Sequence, residues 1–182
     1  MIKQVQYVQA ILAFAVAAVA AGPVLGQGHM LDQDAAAALQ HLYSKHPGAK
    51  ALGETATGIL VFPSVTKMGF IVGGQGGDGV LYEKGKSTGY YNTGAASIGM
   101  QVGVQTYGYA LFFLTPEDLN YLKTSNGWSL GVGPSLVVAD AGFGKDASTL
   151  TGKKGVYAFI FDQKGLMAGA GLVGQKISKI SK

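Results

Sequence analysis

The chain has 182 residues, 29 of them glycine, with 13% charged, no cysteine and a formal net charge of +4 at pH 7. That length builds one domain, and the lack of cysteine excludes disulfides, thiolate nucleophiles and zinc–thiolate sites. All fourteen basic residues are lysine, so the bidentate guanidinium contacts that nucleic-acid recognition favours are unavailable, and no nucleic-acid partner is expected.

Lys3 and the apolar run 10–21, broken by Gly22-Pro23, read as a secretory signal peptide over residues 1–26, cleaved after Ala20 or Gly26. An alanine-rich buried helix is the alternative. Val24-Leu25-Gly26 is similar to the residues before a lipoprotein cysteine, but Gln27 stands at that place, which excludes a lipid anchor by that route. Residues 27–182 are then expected as a single exported domain, periplasmic or secreted.

Asp32 or Asp34 caps an expected helix with Ala35, Ala38, Leu39 and Leu42 at helical spacing, ended by Pro47-Gly48. His41 and His46 near its end lack a third clustered ligand and read as solvated polar residues. Short strands follow at 58–62, 68–72, 80–82 and 89–91. Between the second and third, Gly74, Gly76 and Gly79 match the G-x-G-x-x-G spacing of a dinucleotide-binding turn. Such a turn must open a helix whose N-terminus meets the pyrophosphate. Here Val80-Leu81-Tyr82-Glu83-Lys84-Gly85 follows, a strand and a turn, so 73–79 reads as a loop between antiparallel strands and no nucleotide or other cofactor is expected.

The longest alternation spans 98–114. Ile98, Met100, Val102 and Val104 are expected in the core; Gly99, Gln101, Gly103 and Gln105 face a closely packed backbone or a shallow polar groove. Thr115-Pro116-Glu117-Asp118 starts a short helix to about 123. Strands are expected at 128–138, 156–161 and 166–173, the last two joined by a loop at 162–165, and the tail from about 176, with three lysines, is expected to fray. The fold class is α+β, mainly β: a twisted antiparallel sheet curled toward a barrel or sandwich, with an N-terminal helix and the helix near 116–123 packed on it. The expected core is Ile59, Val61, Phe70, Val72, Leu81, Ile98, Met100, Val102, Leu111, Phe113, Leu136, Phe159 and Phe161.

Thr57-Gly58-Ile59-Leu60-Val61-Phe62, Lys67-Met68-Gly69-Phe70, the glycine segment to Gly79 and Ile98-Gly99-Met100-Gln101-Val102-Gly103 come in an order that resembles the SYLF domain. Gly127 to Gly144, Tyr157, Lys164-Gly165-Leu166, Ala168-Gly169 and Leu172 continue it, so the resemblance spans about residues 35–177. It implies a non-enzymatic lipid-binding module; the phosphoinositide and actin functions of eukaryotic members are cytosolic, so an exported chain is expected to meet a lipid or membrane surface. Its candidate contacts are Lys67, which matches the family's Lys-x-Gly-Phe, Lys84 and Lys86 on a hairpin turn, and Tyr90 and Tyr91 at the polar–apolar boundary. The family's basic amphipathic N-terminal segment is reduced here to Lys45 and Lys50. Three lysines contribute about 3 kcal/mol at an anionic bilayer, less than the ~4 kcal/mol of a millimolar complex, so charge alone would not hold the protein there.

The competing reading is a small outer-membrane β-barrel or structural envelope protein, opposed by short strands and by the lack of an aromatic at the last strand position. Catalysis finds no support: Glu54, Asp78, Asp140 and Asp162 are scattered turn carboxylates that assemble no acid–base pair.

Overall fold

Four long strands carry the fold, and their lengths come from joining segments that read as separate. In the computed structural model, which describes residues 24–69, 72–98, 103–139, 155–165, 172 and 174–182, the order begins with α1 (Val24–Lys45) and α2 (Pro47–Thr55). Then come β1 (Gly58–Gly69), β2 (Val72–Glu83), β3 (Lys86–Ile98), β4 (Gly103–Phe113) and α3 (Pro116–Thr124). The chain finishes with β5 (Trp128–Ser129), β6 (Leu136–Ala139), β7 (Val156–Gly165) and β8 (Lys176–Ile180). One eight-stranded sheet results, in the order β5-β8-β3-β2-β1-β4-β7-β6. All pairs are antiparallel except β6 with β7, where Leu136 lies beside Val156 in parallel register.

The two edge strands belong to one stretch of chain, so residues 130–135 run from one edge of the sheet to the other. Leu130 N donates to Gln175 O at 2.8 Å, and Val156 N donates to Ser135 O at 2.8 Å. This bridge ties both edges and curls the sheet into a half-barrel. Leu60, Phe62, Leu81, Tyr91, Tyr109, Leu111 and Phe113 fill the concave side with Trp128 and with Leu119 and Leu122 of α3. Ile59, Val61, Val80, Ala110, Phe112 and Phe159 fill the convex side beneath Leu39 and Leu42 of α1 and Ala49 and Leu52 of α2. Both faces of the central strands are therefore buried near the helices, which is why their sequences read as near-continuous apolar runs.

Several expectations need correction. The segment 73–79 is not a loop: it lies inside β2, with Gly76 paired to Thr66 on one side and Gly94 on the other. The expected turn at Lys84-Gly85 does close a hairpin, between β2 and β3, and its φ values of 50° and 75° give the two positive angles a type I′ turn requires. On β4 the face assignment is reversed, since Val104 is 56% exposed and Gln105 only 3%. The parity is fixed by Tyr107, Tyr109, Leu111 and Phe113, whose burial on the concave side carries Gln105 inward with them. Val72 is also exposed, and Leu136 is only half-buried. Phe70, Met100 and Val102 lie outside the described residues.

Pro47 does not simply end a helix. It occupies the first turn of α2, where its missing N–H costs nothing. Asp32 and Asp34 lie inside α1, which begins at Val24; of the expected export segment, residues 1–23 lie outside the described residues. Residues 162–165 continue β7 across a bulge, with Asp162 at φ 51° and Phe161 and Lys164 opposite Gly108 and Thr106. The Thr115 cap is as expected, its Oγ1 accepting from Asp118 N at 3.2 Å.

The tail does not fray. β8 pairs with β3 from Tyr90–Ile180 to Gly94–Lys176, and Lys182 Nζ reaches Asp78 Oδ2 at 2.5 Å. Burial raises the Asp78 carboxyl, but hydrogen bonds from Lys182 and Asn92 outweigh it and hold the group below the ordinary aspartate value. A depressed carboxylate stabilises the fold above its unfolded pKa, near 4, and that stability is lost as pH falls through the folded value. Asp78→Asn should therefore flatten the fall in melting temperature below about pH 4, read by thermal denaturation across pH 2–7; an unchanged acid limb would remove Asp78 from the linkage.

Candidate functional site

Strand alternation decides where each candidate residue points. Lys67 stands opposite Gln75 of β2 and Gln105 of β4, in step with buried Val65, so it lies on the concave side near one end of the sheet. Lys84 and Lys86 lie at the turn at the other end, both exposed. Nine residues of extended chain separate Gln75 from Lys84, about 30 Å, so Lys67 is not brought together with Lys84 and Lys86. Tyr90 lies half-buried against α1 and donates to Asp32 Oδ2 at 2.9 Å. Tyr91, on the opposite face, is 1% exposed in the inner core, which takes it away from the expected boundary position.

Three environments could accept a partner. The first is a groove of about 620 Å³ between α1, the end of α2 and the Lys84 turn, with Leu39 and Ile59 on its apolar wall and Lys84 and Glu54 on its polar lining. Tyr43 and Tyr82 also line it. Burial, then the Glu54 charge, pushes the Tyr43 hydroxyl up to about 12. Burial, then Asp32 and Tyr90, pushes Tyr82 up to about 12. Both are neutral phenols at physiological pH, and Tyr82 spends its proton on the Asp32 carbonyl at 3.0 Å.

The second is a polar chain inside the curl. Tyr109 OH donates to Thr93 Oγ1 at 2.7 Å, Thr93 to Gln175 Oε1 at 2.8 Å, Gln175 Nε2 to Tyr107 OH at 3.0 Å, and Tyr107 to Gln75 Oε1 at 3.1 Å. Burial raises the Tyr109 hydroxyl well above its ordinary value, so it acts as a donor. Sequence reading placed Gln105 on the wrong face and missed this chain; the signal was the inward parity of Tyr107 and Tyr109, legible once the strand was anchored at Leu111 and Phe113.

The third is the convex face beyond the helices. Met68 and Val104 are directly opposed across β1 and β4 and are 54% and 56% exposed; Val72 is 67% exposed. Exposed Lys164 lies opposite Thr106 on the adjacent strand. Among the described residues there is no group of three potential metal ligands and no helix long and apolar enough to cross a membrane.

The family model described as Ysc84, Las17-binding protein actin regulator, matches residues 94–182, which run from Gly94 of β3 through β4, α3 and β5 to β8. Over these residues the chain is similar to the SYLF family, in agreement with the order of its sequence motifs. No curated protein matches it. SYLF domains form a family of binding domains. All five candidate contacts, Lys67, Lys84, Lys86, Tyr90 and Tyr91, precede the matched SYLF segment, whereas Val104, Gln105, Tyr107, Lys164 and Gln175 lie within it.

Proposed function

We propose that this SYLF-like protein is a non-enzymatic lipid- or membrane-binding module that works outside the cytoplasm, in the cell envelope or secreted. The observation that carries the reading is the trio Met68, Val72 and Val104, each more than half exposed on a sheet face that α1 and α2 leave uncovered. Exposed apolar side chains gathered on one face mark a surface that another apolar phase covers. Half-burying three such side chains contributes about 3 kcal/mol and a nearby lysine about 1 kcal/mol, so the two together reach millimolar affinity where charge alone did not.

Vesicle co-sedimentation tests it. Phosphatidylglycerol vesicles are expected to pull down the wild type at low salt, and Met68→Asp to weaken this by more than about tenfold without lowering the melting temperature. Failure of the wild type to bind anionic or neutral vesicles would sink the reading, and binding to actin filaments in their place would redirect it. A membrane-spanning barrel is disfavoured because α1 and α2 occupy the convex face that lipid would need. Export rests on residues 1–26, and the mature chain is expected to begin at Ala21 or Gln27 when its mass is measured from the host.

A further inference from the structure

Lys67, Gln75 and Gln105 sit in one row across β2, β1 and β4 on the concave face, with Tyr107 next along β4. Gln105 is 3% exposed, and among the described residues its Oε1 has no hydrogen-bond partner. The contrast with its surroundings is sharp, because the neighbouring Tyr107, Gln75 and Gln175 are linked into a continuous chain. A buried acceptor that the described residues leave unpaired beside a satisfied network is available to a donor on a ligand. Lys67 forms no ion pair among the described residues, and none of Val65, Gln75, Gln105 and Tyr107 around it carries a carboxylate. With Oε1 of Gln75 committed to Tyr107, the amide that remains on Gln75 is a donor.

The row therefore offers a cation, an amide donor and an orphan acceptor. We propose that it is a binding site for a small hydroxyl-bearing anion, a phosphate ester of a polyol such as glycerol phosphate. The phosphate oxygens accept from Lys67 Nζ and the Gln75 amide, and a hydroxyl donates to Gln105 Oε1. Neither half suffices by itself: an anion without hydroxyls leaves Gln105 unpaired, and a neutral polyol leaves Lys67 unpaired. This site faces away from Met68 and Val104 and does not depend on the membrane reading.

The test is calorimetric titration of the full-length protein with glycerol 3-phosphate, beside glycerol and sulfate as partial ligands. Glycerol phosphate is expected to bind at least about tenfold more tightly than either. Lys67→Met and Gln105→Met should each weaken it at least about tenfold, while Gln105→Met, which deletes the orphan acceptor at nearly constant length, melts above the wild type. The proposal is overturned if glycerol phosphate does not bind at about 10 mM, if Gln105→Met binds it like the wild type, or if Gln105→Met melts lower. Phosphatidylglycerol vesicles identify the source: loss of vesicle and free-ligand binding together in Lys67→Met assigns a lipid headgroup, and loss of the free ligand alone assigns a soluble ester. Met68→Asp separates this site from the membrane face, since it should release vesicles and keep glycerol phosphate.

Discussion

Truncation after Gln175 is expected to cost the protein more than about 4 kcal/mol of its stability, a large share of the ~5–15 kcal/mol typical of a domain. β8 is an interior strand of the sheet, lying between β5 and β3. Its loss removes Ile177, 1% exposed in the inner core, and strips Trp128 and Thr93 of their cross-strand neighbour. It leaves the β3 edge unpaired and Asp78 without Lys182. Restored exposure of Trp128 adds to the cost, because an indole of that size fills much of the space between α3 and the sheet, with Phe113 at 5.9 Å and Tyr121 at 6.4 Å between ring centroids. Urea denaturation followed by circular dichroism reads the effect; a truncated chain with the wild-type midpoint would mean that β8 contributes nothing. Lys182→Ala isolates the ion pair and should account for only a small part, since Asp78 is about a third exposed.

The tail shows why some of the fold was illegible. Lys176, Lys179 and Lys182 give it the composition of a solvated end, yet its strand character depends on Ile177 meeting Trp128 and Thr93, partners 49 and 84 residues away. No local pattern announces such a pairing. Features that depend on adjacent residues were readable: the Thr115 cap, the Lys84-Gly85 turn and the amphipathic stripe Ala35, Leu39 and Leu42. Parity was a different difficulty. From Tyr109 onward β4 is apolar on both faces, so the alternation of Val104 against Gln105 carried the plainest local face signal, and it pointed the wrong way against the parity of Tyr107 and Tyr109. A one-residue error of parity exchanges core and surface, and here it hid the acceptor that marks the inner site. Lys67 could be picked from its motif, but its neighbours Gln75 and Gln105 became visible only with the pairing of three strands.

The glycine segment yields the second large effect, because pairing on both sides changes what its glycines are for. Gly79→Val is expected to destabilise the protein by about 3 kcal/mol or more, the upper range for overpacking a filled core. A side chain there would place Cβ 2.6 Å from the Phe62 ring and 2.7 Å from the Val61 carbonyl oxygen. The ring has little room to yield, since it stacks on Tyr109 at 4.7 Å between centroids, and Tyr109 is held through its hydroxyl by Thr93. The carbonyl belongs to the β1 backbone, so relief there requires moving the strand. Gly74→Val is the matched control: its nearest neighbour is the Ala95 carbonyl at 3.8 Å, ordinary contact distance, on the open convex face. Valine favours extended backbone, so that variant should stay within about 1 kcal/mol of the wild type. Equal unfolding midpoints for the two variants would show that glycine at 79 answers to no close packing; a gap of about 2 kcal/mol or more between them would establish that position 79 is glycine so that Val61 and Phe62 of β1 can lie against it.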